Sequence, residues 1–190
     1  MNPDIAGLAQ KIRALEAQLE AEMARRRADL RFGLERGRAV FEAEIMRRHR
    51  EMKTRLFIYI RNARPLVILS APLIYALNIP LLLLDLFITV YQAVCFPIYG
   101  IPKVPRRDYF IFDRHHLGYL NLVEKLNCAY CSYATGLIGY AREITGRTEQ
   151  HWCPIKHARR VIGAHAAYAE FEDFGDAEGY RASLKRRDEP

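Results

Sequence analysis

Residues 65–100 read PLVILSAPLIYALNIPLLLLDLFITVYQAVCFPIYG, a run in which Asp85 is the only charged side chain. No core element of a soluble chain of 190 residues needs so long an apolar stretch. The run predicts contact with a lipid bilayer. As one straight helix it would measure about 54 Å, whereas the hydrocarbon core of a bilayer is about 30 Å thick. It must therefore tilt, break or turn back. Pro72, Pro80 and Pro97 each remove a backbone donor and disfavour helix at the preceding residue, and Asn78-Ile79-Pro80 lies near the middle of the run. Two arms, residues 66–79 and 81–98, fit an apolar membrane hairpin, with a single span as the alternative.

Flanking charge favours the hairpin. Arg55, Arg61 and Arg64 precede the run and Lys103, Arg106, Arg107 and Arg114 follow it. Basic flanks tend to stay cytoplasmic, and a hairpin keeps both there, dipping into one leaflet if its arms are too short to cross. A single span would export everything from Lys103 onward. An unpaired Asp85 in hydrocarbon would cost about 3 kcal/mol or more, so it needs a partner or a proton. A structural role, bonding the backbone freed near Pro80, is favoured over a proton or ion site. Tyr99, Tyr109, Phe110, Phe112 and Tyr119 follow the run, as aromatic rings do where hydrocarbon gives way to head groups.

Upstream, residues 1–64 carry nearly all of the formal net charge of +7. The mean hydropathy of −0.15 hides this division into a charged front, an apolar middle and a mixed rear. Leu8, Leu19, Leu30, Phe41 and Met52 recur every eleven residues, and Ile12, Met23, Leu34, Ile45 and Leu56 repeat the interval four residues later. Eleven residues over three turns keep one stripe on a nearly straight helix. A long amphipathic, coiled-coil-like helix is expected, in one or two pieces, with Gly33 and Gly37 as the place to bend. Its stripe suits homo-oligomerisation or packing, and its arginines suit anionic lipids. Glutamates interleave with these arginines and no nucleic-acid reading motif is present, so nucleic acid is set aside as a partner. The first apolar run begins too late for a secretory signal, which places the N-terminus in the cytoplasm.

Downstream, Leu122, Val123, Leu126, Tyr130, Tyr133, Leu137, Tyr140, Ala141 and Ile144 follow helical spacing. On that helix Cys128 and Cys131 share a face. Cys153-Pro154-Ile155-Lys156-His157 suits a second helix with proline in its first turn, which would place His157 one turn beyond Cys153. Cys128, Cys131, Cys153 and His157 have the ligand types of a closed zinc site. An iron–sulfur cluster, a plain buried-thiol core and a disulfide are the alternatives. Glu143, Glu149 and His151 are weaker candidates for an iron centre, because the Glu-x-x-His pairs of di-iron bundles are missing. Asp113-Arg114-His115-His116 reads as an interfacial loop, and Cys95 as inert. No phosphate-binding glycine loop, nucleophile elbow or dinucleotide fingerprint occurs. The charged residues 166–190 are expected to be disordered.

The segments Tyr91-Gln92-Ala93-Val94-Cys95-Phe96-Pro97, Phe112-Asp113-Arg114-His115-His116 and Cys153-Pro154-Ile155-Lys156-His157 resemble a group of small bacterial membrane proteins without an assigned activity. That resemblance implies a bacterial inner-membrane location and nothing catalytic.

The expected architecture is all-α: an amphipathic helix over residues 1–64, a membrane segment over 65–100, a small helical Cys/His domain over 101–165 and a charged tail over 166–190. A structural or regulatory membrane protein with zinc bracing its cytoplasmic rear domain is the first expectation. A membrane-bound redox or metal-dependent enzyme with an iron–sulfur or iron centre is the second. A cofactor-free helical membrane scaffold is the third.

Overall fold

The computed structural model describes residues 3–30, 32–35 and 38–188, and the fold is mostly helical. In chain order the elements are α1 (Pro3–Asp29), β1 (Phe32–Glu35), β2 (Arg38–Phe41), α2 (Ala43–Glu51), α3 (Leu56–Asn62), α4 (Pro65–Ala76), α5 (Asn78–Tyr99), α6 (Leu122–Trp152) and α7 (Ala177–Asp188), with short 3-10 turns at Arg106–Asp108, Arg114–His116 and Ala166–Glu170. They form two compact units. One comprises Met1–Ala17, Ile88–Val104 and Tyr140–Pro190, the other Gln18–Phe87 and Pro105–Gly139.

The front segment departs from a single helix. α1 ends at Asp29 and an antiparallel hairpin follows, with Phe32 opposite Phe41 and Gly33 opposite Val40. Gly33 is costly inside a helix, whereas Phe32, Val40 and Phe41 favour extended chain. The break expected at Gly33 is thus a change of secondary structure, and Gly37 lies outside the described residues. The apolar stripe remains exposed along α1 at Leu8, Ile12, Leu19 and Met23.

The reversal expected at Asn78-Ile79-Pro80 does not occur. Leu77 alone separates α4 from α5 and keeps right-handed helical dihedrals, φ −61° and ψ −18°. Proline disturbs a helix by clashing with the carbonyl four residues back, but Pro80 lies in the first turn of α5, where no intrahelical donor is lost. The 35 residues Pro65–Tyr99 form a helical rod long and apolar enough to cross a membrane.

α6 starts on a capping box. Asn121 Oδ1 accepts from the Glu124 amide at 3.0 Å, and the Asn121 amide donates to Glu124 Oε2 at 2.8 Å. Gly136 lies against the Tyr109 carbonyl, where a Cβ would stand 2.6 Å from the oxygen, so the connection after α5 packs directly on α6.

In the first unit Phe96, Val104, Tyr140, Ile144 and Phe171 form the core, with Phe96 at 0% exposure. Gln92 is buried among them and fully used: its Oε1 accepts from the Val104 amide at 2.7 Å and its Nε2 donates to Tyr140 Oη at 2.7 Å. The described part of the expected charged tail carries the 3-10 turn Ala166–Glu170 and α7. Ile155 pairs with Glu172 as an isolated parallel bridge, the Lys156 ammonium meets the Asp173 carboxylate at 2.8 Å, and Phe171 enters the core. Two aromatic rings, Tyr168 and Phe171, give this charged stretch enough apolar surface to fold. The pairing of Ile155 also removes the helix expected at Pro154.

Candidate functional site

Of the four residues expected to share a metal, Cys128 and Cys131 belong to the second unit and Cys153 and His157 to the first. Cys128 and Cys131 lie one turn apart near the start of α6, whereas Cys153 follows its last residue. His157 lies outside any helix, and its amide donates to Tyr168 Oη at 2.6 Å. Among the described residues no three His, Cys, Asp or Glu side chains converge as a metal site. All four cysteines are free, with Cys131 and Cys153 exposed. The rings of His115 and His116 lie 3.8 Å apart, tilted at 42°, within a 3-10 turn.

Two polar arrangements emerge instead. The first accounts for Asp85. Arg106 grips it with both terminal nitrogens, Nη1 to Oδ1 at 2.5 Å and Nη2 to Oδ2 at 2.6 Å, and Tyr133 Oη donates to Oδ2 at 3.0 Å. The guanidinium also lies 3.9 Å from the centre of the Phe110 ring. Desolvation, then the hydrogen bond to Asp85, push the Tyr133 phenol above its ordinary value. The sequence pointed to the need for a partner but not to Arg106, because a contact across twenty-one residues leaves no periodic trace.

The second is a cavity of about 500 Å³ in the first unit, between the turn at residues 100–102, the last third of α6 and His165. Glu143, Arg147, Gln150 and His151 reach its wall from one side of α6, at helical spacing. Arg147 is fixed by three contacts: Nε to Glu143 Oε1 at 2.9 Å, and Nη1 to the carbonyls of Pro102 and Lys103 at 2.7 and 3.5 Å. His165, with its side chain 9% exposed, sits where Gly146 lacks a Cβ and holds Glu149 Oε2 through Nε2 at 3.0 Å. His151 stacks on Tyr99 and meets Trp152 edge-on. Glu143, Glu149 and His151 were visible in the sequence as a polar group, but Arg147 and His165 were not. Spacing along α6 could have added Arg147, whereas His165 comes from a separate segment.

Along α5 the polarity of the two faces is inverted relative to a water-soluble helix. The packed face carries Leu81, Asp85, Ile88, Gln92, Phe96 and Tyr99, while Leu82, Leu83, Leu86, Phe87, Val90, Val94 and Ile98 lie outside, Phe87 at 70% exposure. Most of α4 is exposed too, and it is apolar on every side. Compared with protein-family models, curated proteins and solved structures, the chain matches none.

Proposed function

We propose that the chain is a monotopic membrane protein, anchored by α4 and α5 lying in one leaflet, that acts as a helical scaffold holding a polar cavity at the lipid surface. The inverted polarity of α5 carries this reading. An exposed leucine or phenylalanine gains about 25 cal/mol for each Å² removed from water, and an apolar face this continuous marks an interaction surface. Hydrocarbon satisfies it, while Asp85 and Gln92 find their partners on the inward side.

Charge favours lying in the leaflet over crossing it. Tyr75 of α4 bonds Asn127, one turn beyond Glu124 and Lys125. Ten residues on, Asp85 is gripped by Arg106, next to Arg107, which is 89% exposed on its side chain. A rod perpendicular to the bilayer would carry these charges into hydrocarbon, at about 3 kcal/mol each. A rod in the plane keeps them on the water side. It also leaves both basic flanks on the cytoplasmic face, as the flanking charge requires. The basic residues from Arg47 to Arg64 would then meet anionic head groups.

The test is ultracentrifugation of a detergent-free lysate followed by an alkaline carbonate wash. The full chain should pellet and resist the wash, whereas Leu83→Lys with Leu86→Lys, both on the outer face, should release it while leaving its helical circular dichroism unchanged. Wild-type protein in the supernatant would sink the reading.

A further inference from the structure

We propose that the cavity beside α6 binds a zwitterionic phosphoamine group, the head group of a phosphoethanolamine lipid. The lipid source rests on the membrane reading above; the head-group chemistry does not.

The walls set the charge pattern. Glu143 and Arg147 stand side by side with a single bond between Oε1 and Nε, and Nη1 is committed to the carbonyls of Pro102 and Lys103. Nη2 of Arg147 and Oε2 of Glu143 lie outside these bonds, leaving a fixed donor and a fixed acceptor of opposite charge on the same wall. Both side chains are partly screened from water, at 28% and 27% exposure, so their charges act through a medium less polar than bulk solvent. A purely anionic ligand would meet Glu143, and a purely cationic one Arg147. A zwitterion satisfies both, with phosphate on the guanidinium and ammonium on the carboxylate. Glu149 is occupied by His165, which forms the far wall. The Gln150 amide supplies a further neutral partner.

Size and placement agree with that ligand. About 500 Å³ lies within the range of small-molecule pockets, with room for a head group and glycerol oxygens but not for acyl chains. Residues 100–102, immediately after the end of α5, line the cavity, next to the place where Tyr99 and Trp152 meet ring to ring as at a membrane–water boundary. Ile98, 71% exposed, lies two residues before Gly100 and offers an apolar path for the chains.

Trp152, the only tryptophan in the chain, adjoins His151 of the cavity wall and reports on it. The full chain in an uncharged detergent is titrated with dihexanoyl phosphatidylethanolamine, dihexanoyl phosphatidylglycerol and free phosphoethanolamine while Trp152 fluorescence is followed. The ethanolamine lipid should saturate, with the glycerol lipid at least tenfold weaker. Arg147→Gln and Glu143→Gln should each weaken ethanolamine-lipid binding by about tenfold or more, whereas Lys156→Gln, outside the cavity, should not. Equal binding of both lipids, or a linear response to all, overturns the proposal without relying on any variant's folding. Free phosphoethanolamine binding as tightly as its lipid supports the head-group site and overturns the lipid source. Failure to pellet with membranes, by contrast, leaves the fluorescence result standing.

Discussion

At Gly146 a methyl group would stand 2.5 Å from Cγ and 3.0 Å from Cβ of His165. Alanine would gain up to about 1 kcal/mol in helix propensity, but it would displace a buried ring and its bond to Glu149, and overpacking of this kind costs about 1–3 kcal/mol. The clash should win: Gly146→Ala should lower the thermal midpoint, with His165→Ala in the same background recovering part of the loss. Asp85 gives a second test. Its side chain is 15% exposed against 42% for Arg106, so Arg106→Ala strands a largely buried carboxylate and should cost about 2–3 kcal/mol, below the full figure for a buried pair because the arginine is half in water. Asp85→Asn combined with Arg106→Gln should cost less than Arg106→Ala alone. Tyr133 adds a pH signature. Its folded value is raised above the ordinary 10.0, so its contribution is complete below that value and is lost as pH rises through the folded one. Tyr133→Phe should flatten the stability profile above about pH 10, read by alkaline denaturation.

Among the elements, the apolar run of α4 and α5 and the helix α6 were legible because burial and lipid contact both act through local composition and helical period, whereas the continuation of the run through Asn78-Ile79-Pro80 was not. The front break was half legible: Gly33 and Gly37 marked the place, but two short strands are too brief for periodicity to distinguish them from a bend. The order of the C-terminal segment was not legible at all, since charge density hid a single buried ring, Phe171, and pairing across seventeen residues between Ile155 and Glu172. The metal reading meets the same limit: Cys-x-x-Cys and Cys-x-x-x-His give the right ligand types, but spacing along the chain does not say whether the two pairs meet. Gln92 shows how the inner face of α5 works as an element. It replaces a missing sheet or helix partner for both backbone groups of Val104, accepting from the amide at 2.7 Å and donating to the carbonyl at 3.4 Å. Gln92→Leu keeps the volume but leaves that buried amide unpaired, a cost of about 1–3 kcal/mol. Increased hydrogen exchange at Val104, with the rest of α5 protected as before, would be the expected result, and unchanged protection there would show the bond to be dispensable.

For the molecule as a whole, the outward face of α5 and the basic flanks make a joint statement about sidedness. Export of the rear would place Lys103, Arg106, Arg107 and Arg114 on the far side of the membrane, against the bias of basic residues, and would put three free thiols, Cys128, Cys131 and Cys153, in an oxidising compartment. A rod in one leaflet avoids both consequences. Cys131 and Cys153 are exposed, which makes them reporters: with the other cysteines replaced by serine, each should resist a membrane-impermeant maleimide in intact cells and react fully once the membrane is opened. Reaction of Cys153 before permeabilisation would mean that α4–α5 crosses the bilayer, and the charges beside Asp85 would then need a water-filled path through it. Protection of both thiols after permeabilisation would point instead to their burial in a partner or a second copy of the chain, and size-exclusion chromatography of the labelled and unlabelled protein would separate that case from the topology.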